Sequence, residues 1–374
     1  MSATNFALLT SEEKTIWSLQ FWGQARNMSF VNKLLGKGEN SMIQHVTDLK
    51  QGQSGARAVM TLLTDLEGDG IAGDRQLKGN EERLKSFDKV IRIDQLRNAN
   101  TNEGRMADQK TIVGFRDNSK DKLAYWAADR VDQLAMLTLA GLSYSTVLSA
   151  VGSPTGRVGS DMPYLEFAAD VVAPSAKRLG RWNGTSKSME WGTGTGSVAA
   201  ADTPSYAMLM QAKAYAKDNY IRGIKEAGGE ESYHVFLSPQ AMVRLKLDPE
   251  YLANVRWAAQ RGGDNPVFSG STVKLDGLHL HEFRHVPNTR LTPSGSKYGA
   301  GGLIDGCQVL FCGAQALGMA DIGDASWDEE KDDYSNRYGI AIAKMFGFLK
   351  PQFYTQYSGG TTEDFGVLSL YVAQ

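Results

Sequence analysis

Residues 57–97 read RAVMTLLTDLEGDGIAGDRQLKGNEERLKSFDKVIRIDQLR, and the meaning of this stretch decides the fold. Arg57 to Leu63 alternates in the manner of a β-strand, and Val90-Ile91-Arg92-Ile93 offers a partner. Between them lie about two dozen residues rich in Gly, Asp and Glu, from Thr64 to Lys89, a connection longer than compact domains tolerate without a use for it. If the strands run on into that connection, the hairpin projects by about 30–40 Å at ~3.3 Å per residue. A lone two-stranded ribbon is marginal in water, so it needs another surface to lie on.

Upstream, Thr10-Ser11-Glu12-Glu13 has the spacing of a capping box, which predicts a helix through Ile16, Leu19 and Gly23 rather than a secretion signal. From Asn32 to Gly55 the chain is polar and punctuated by glycine, and reads as an arm rather than core. Downstream, Leu123, Ala127, Val131, Leu134 and Leu137 recur at helical spacing. They predict a helix from Asp121 to a terminating Gly141, about 30 Å long at ~1.5 Å per residue. Leu142–Ser160 is a Ser/Gly-rich connection, Asp161–Leu179 is expected to be helical, and Gly180–Asp202 is a second glycine-rich stretch. Thr203-Pro204 is expected to open a helix reaching Ala227. Ser238-Pro239 and Asp248-Pro249 open two more, each pairing a cap residue with proline at the first helical position. Tyr233–Leu237 reads as a buried strand. After Gly270 the pattern is mostly β: 272–275, 278–283, 308–312, 339–348 and 367–372. The class is α+β, with no repeat at a solenoid period.

The composition excludes several functions. Across 374 residues, 40 Lys+Arg against 42 Asp+Glu leave a net charge of −2, unlike the basic excess of a dedicated nucleic-acid binder. Two cysteines build no disulfide framework, and no apolar run approaches membrane-spanning length. Forty glycines against ten prolines suggest many turns and long connections rather than a compact enzyme.

Candidate chemistry is thin. His281-Glu282-Phe283-Arg284-His285 matches the zinc-peptidase motif, which works only on a helix; its flanks read as a strand, where the two histidines stand ~13 Å apart. His279 and His281 share a strand face but lack a third ligand. Asp65–Gly70 opens like an EF-hand loop, yet its twelfth position is Gln76 instead of a bidentate Glu. Gly192-Thr193-Gly194-Thr195-Gly196 lacks the strand and the third glycine of a dinucleotide loop and reads as a flexible connection. Cys307 and Cys312 are expected to be buried thiols on opposite faces of a strand. The expectation is a protein that is not an enzyme, with no catalytic residue, no metal ligand and no cofactor assigned.

The block Asp65–Gly70 through Leu77-Lys78-Gly79-Asn80-Glu81-Glu82, followed by Val90–Arg97, resembles the major capsid proteins of tailed phages, specifically the N-four-type podovirus group. The resemblance continues through Tyr233–Pro239, Leu245–Asp248, Asn265–Gly270 and Gly277–Glu282, and so covers most of the chain from about Ser54 onward. It implies a Hong Kong 97-type phage major capsid fold. On that layout 1–54 is an N-terminal arm, 55–110 an extended hairpin loop and 111–160 the spine helix of a peripheral domain. Residues 161–335 are then an axial domain and 336–374 the terminal strands of the peripheral domain. The implied function is self-assembly, as pentamers and hexamers, into the icosahedral head shell of a virion built in a bacterial cytoplasm. The contact loop between subunits would use Asp65, Glu67, Asp69, Asp74, Arg75, Lys78, Glu81, Glu82 and Arg83. Further expected partners are scaffolding, portal and decoration proteins, with double-stranded DNA enclosed but not gripped, and no membrane. An encapsulin-like compartment and a zinc metallopeptidase through His281, Glu282 and His285 are the alternatives.

Overall fold

Two sheets share one long helix. The computed structural model describes residues 11–46, 57–63, 66, 70–82, 86–104, 106, 115–145, 162–226, 228–258, 273–290, 292–354 and 361–374. Helix α1 (Ser11–Met28) lies near α2 (Phe115–Ala140), which at 26 residues is about 39 Å long. From Val131 to Ala140 every residue of α2 is buried, so its C-terminal half runs through the interior with no solvent face. Gly141 ends it in the left-handed region at φ 68°. Leu142 N–H donates to Leu137 and Gly141 N–H to Thr138, the paired bonds of a Schellman motif. A side chain at Gly141 would also strike the backbone of Val172 and Ala173. The predicted helix was therefore right in kind and in its end, and begins six residues earlier.

The first sheet has five strands in the order β1 (Leu35–Gly36), β2 (Ile43–Val46), β13 (Leu317–Asp332), β14 (Arg337–Leu349) and β5 (Asp94–Thr101). β13 and β14 form its antiparallel centre, and β2 lies parallel to β13 with Ile43 opposite Leu317. Phe21, Trp22 and Ala25 of α1 pack with Leu123 and Ala124 of α2 onto Trp327 and Ile342 of this sheet. Beside it lies the ribbon of β3 (Arg57–Leu63) and β4 (Ser86–Arg92), paired from Arg57–Arg92 to Leu63–Ser86.

The second sheet runs β10 (Val273–Leu275), β11 (Leu278–Glu282), β9 (Glu231–Leu237), β12 (Gly306–Cys312), β17 (Val367–Ala373), β6 (Leu179–Asn183) and β7 (Ser188–Trp191), with β8 (Ile224–Lys225) paired to β9. All seven residues of β12 and of β17 are buried, which is why both read as unbroken apolar runs instead of alternating ones. Helices α3 (Tyr206–Asp218), α4 (Pro239–Lys246) and α5 (Pro249–Ala258) belong to this half. Ser238 caps α4 with Pro239 at its first turn, as the sequence predicts. A short ribbon, β15 (Gln352–Tyr354) with β16 (Thr362–Asp364), joins the two sheets. At that joint Lys350 Nζ meets Asp364 Oδ2 at 3.0 Å with both side chains out of water. Burial pulls the Lys350 ammonium down while Asp364 opposes it.

Four expectations are corrected. The segment 31–46 contributes to the core through Val31, Met42 and Ile43, and β2 completes a sheet whose partner strand lies more than 270 residues away and so is invisible locally. Residues 162–178 form three short 3-10 turns instead of a helix, with Pro163 inside the first and Pro174 in the gap between the second and third. Helix α3 starts at Tyr206 under a Ser205 cap and stops at Asp218, and Ile224 belongs to β8. A division at 335/336 does not follow the sheets. It cuts the β13–β14 hairpin, while β17 lies in the sheet of residues 179–312.

Candidate assembly surface

The ribbon β3–β4 has two unlike faces. Ala58, Met60, Leu62 and Ile91 point inward and are buried against Ala320, Leu349, Phe353 and Phe365. This is the alternation of a half-buried strand, and it supplies from the chain's own body the surface that a lone ribbon lacks. Two glycines make the seat. A methyl at Gly318 would stand 2.7 Å from Met60 Sδ, and one at Gly347 would stand 3.0 Å from the carbonyl carbon of Arg92 and closer still to its oxygen. Glycine within a strand signals close approach of another segment, a sign legible in sequence that does not say which segment approaches.

The outer face carries the cross-strand pair Val59 and Val90, both nearly half exposed, beside a Thr61 Oγ1 to Asp88 hydrogen bond of 2.8 Å. Beyond the paired strands the tip leaves the body. Every described residue from 70 to 82 is exposed except Ile71, which is half-buried, and Leu66 and Leu77 are each 62% exposed. The tip holds itself by local bonds: Asn80 N–H to Leu77 O, Asn80 Nδ2 to Gln76 O at 3.1 Å, and Gly79 N–H to Glu81 Oε2 at 2.9 Å. Gly70, Gly73 and Gly79 all take positive φ there. Asp74, Arg75, Lys78, Glu81 and Glu82 project from this tip; Asp65, Glu67, Asp69 and Arg83 lie outside the described residues. The paired section spans seven residues, about 23 Å, so the reach comes from strands plus tip and not from pairing along its whole length.

The metal and catalytic motifs come apart in three dimensions. His281 sits on β11, parallel to β9, and its Nε2 lies 2.8 Å from Nδ1 of His234. Burial, helped by the neighbouring histidines, pushes the His234 imidazole down to about 3 and that of His281 down to about 4. His285 lies past the strand end with Nε2 2.9 Å from Asp129 Oδ1, and Glu282 faces Lys246 at 3.7 Å. His281, Glu282 and His285 thus serve three separate partners, and the strand denies them the helical turn that zinc peptidase chemistry requires. His279 turns to Glu226, at 2.8 Å, rather than sharing an ion with His281. Among the described residues no group of three or more His, Cys, Asp or Glu is placed to hold a metal. Cys307 and Cys312 are free and buried in β12; burial pushes the Cys307 thiol up to about 11, and both are packing groups. Thr195–Ser197 is a 3-10 turn with Thr195 half-buried, its carbonyl accepting from the Gly299 N–H.

Comparison with known proteins points one way. The model of a family described as phage capsid protein matches residues 5–374. The major capsid protein of Pseudomonas phage KPP25 is 58% identical over 370 residues, covering 99% of this chain and 97% of that protein. Among solved structures, the capsid of Ralstonia phage GP4 superposes with a TM-score of 0.72 at 26% identity, over 92% of this chain and 90% of that one. The capsid asymmetric unit of cyanophage Pam1 does so at 0.69 and 20% identity, over 99% of both chains, which speaks to the fold alone.

Proposed function

This chain belongs to the phage capsid protein family, and from that premise we propose that its ribbon tip is the loop through which one subunit grips the next. The protein is a major capsid protein: it forms the phage head shell, assembles with copies of itself and resides in the virion. Its architecture is the mixed α+β fold of phage capsids.

One observation carries the proposal. The base of the ribbon is seated firmly on the chain's own sheets while, among the described residues, the tip from 70 to 82 is exposed except at Ile71, and Leu66 and Leu77 stand largely in water. On this reading Asp65, Glu67, Asp69, Asp74, Arg75, Lys78, Glu81, Glu82 and Arg83 trade charge pairs with neighbours. Each exposed pair is worth only about 0.2–1 kcal/mol, so the shell gains by repetition. Within the family, the blocks Gly79–Glu82 and Ile93–Arg97 support the N-four-type podovirus group and a Hong Kong 97-type layout. There α2 serves as spine and the second sheet as axial lobe. Pentamers and hexamers, and scaffolding, portal and decoration partners, belong to the same reading. So does duplex DNA held without tight binding, for which a net charge of −2 is suited.

The test replaces residues 65–83 by a short Gly/Ser linker and images the product by negative stain. Folded subunits that form no shells are expected; shells of normal size and yield would overturn the proposed role of the tip.

A further inference from the structure

A second group of titratable side chains lies far from the ribbon, where β9 meets β11. In register, His234 stands opposite His279 and Phe236 opposite His281. The His234 ring lies between the other two imidazoles, 5.1 Å from His279 and 5.0 Å from His281, with planes tilted by less than 30°. Phe30 closes over them: it meets His281 edge-on at 5.5 Å and stacks on Phe283 at 4.6 Å. Phe30 belongs to the turn that carries the chain from α1 to β1. Asp132 of α2 holds that turn from the other side through Ser29 Oγ and the amides of Phe30 and Val31, at 2.6, 2.9 and 3.1 Å. Besides the apolar burial of Val31, the turn thus has two polar or aromatic attachments, one carboxylate and one stack of rings.

The ring attachment depends on protons. A contact of 2.8 Å between His234 Nδ1 and His281 Nε2 is a hydrogen bond only while one nitrogen keeps a lone pair. Two protonated rings would aim two N–H donors at each other. The carboxylates around them are already engaged. Glu226 is bound by His279 and by Lys274 Nζ of β10, Glu282 faces Lys246 of α4, Asp129 holds His285 and Arg284, and Asp132 holds the turn itself. The burial that keeps both imidazoles neutral at pH 7 agrees with this geometry.

We propose that the His234–His281 contact is an acid-released latch: when both rings take a proton the contact breaks, Phe30 loses its seat, and the turn Ser29–Leu34 lifts from the second sheet. The inference stands apart from the role of the ribbon tip, since it concerns how the subunit holds its own N-terminal third. Hydrogen exchange of assembled and unassembled wild-type protein at pH 7.5 and 4, corrected for intrinsic rates, tests it. Protection of residues 29–35 should fall at least tenfold at pH 4 while residues 131–140 and 306–312 keep theirs. His281→Phe, which fits among Phe30, Phe236 and Phe283 without titrating, and His234→Gln, which keeps an acceptor, should each abolish the pH-dependent part. Unchanged protection in the wild type, loss spread evenly over all segments, or a pH response that survives in both variants and so belongs to Asp132, would each overturn the latch.

Discussion

Gly347→Ala tests whether the ribbon is seated as described. The new methyl would meet the Arg92 carbonyl carbon at 3.0 Å and its oxygen closer, against about 3.5–4.0 Å for an ordinary contact. Backbone cannot rotate away as a side-chain tip can, so β4 must rise by roughly 1 Å. Met60, Leu62 and Ile91 are fully buried beneath the ribbon, each worth about 1.5–3 kcal/mol. A gap of about 1 Å forfeits between a quarter and a half of such contacts. The expected loss is therefore about 2 kcal/mol, or ~30-fold in the equilibrium for opening the ribbon. Hydrogen exchange on purified subunits should show that fall in residues 57–63 and 86–92, with α2 unaffected and shell yield reduced. Gly194→Ala is the control, since its methyl would meet open space at an ordinary backbone angle. Ribbon protection within threefold of wild type, or equal loss in the control, would refute the seat.

Other outcomes are expected. Gly141→Ala combines a φ of 68° with a collision against the Val172 carbonyl, and should cost more than about 2 kcal/mol in denaturant unfolding, above the ordinary penalty for overpacking. Lys350→Met or Asp364→Leu alone should cost about 3–5 kcal/mol by stranding a buried charge, whereas the double variant should recover most of it, as a double-mutant cycle would reveal. Reversing Asp74 to lysine should leave subunit unfolding unchanged, because it is exposed, but shift the salt dependence of assembly followed by light scattering. Acid should weaken the fold through His234 and His281. The folded state refuses protons that an open chain accepts near 6.5, so stability is intact above about pH 6.5 and declines as pH falls toward about 4 for His281 and about 3 for His234. The decline amounts to at most about 2 kcal/mol for each ring by pH 5, measurable as a slope absent from the double variant His234→Gln/His281→Phe.

What could be read from the sequence follows from the range of each signal. Helix α2 announced itself because Leu123 to Leu137 repeat locally and Gly141 closes the turn; β12 and β17 did so because burial on both faces leaves unbroken apolar runs. The sixteen-residue strand β13 was overlooked. Its Asp, Glu and Gly residues are poor strand formers, and only pairing with β14 and β2 makes it a strand. Gly180–Asp202 looked loose for a similar reason: Gly180 admits the Trp191 ring and Gly184 the Ala201 backbone, so these glycines mark contact rather than freedom. The charged tip was legible as an unsupported loop, while its seat on Gly318 and Gly347 required a partner some 230 residues or more away to be seen.

The parallel pairing of β2 with β13 also sets a clock. Ile43 and Leu317 are 274 positions apart, so at about 5–20 residues per second the ribosome needs roughly 14–55 s after making the first before it has made the second. Throughout that interval the apolar face of α1, with Phe21 and Trp22, lacks the strands it will cover. The nascent chain therefore carries an adhesive helix long before it has a place to put it. The length of that exposure is set by the order of synthesis and is untouched by the strength of the finished fold.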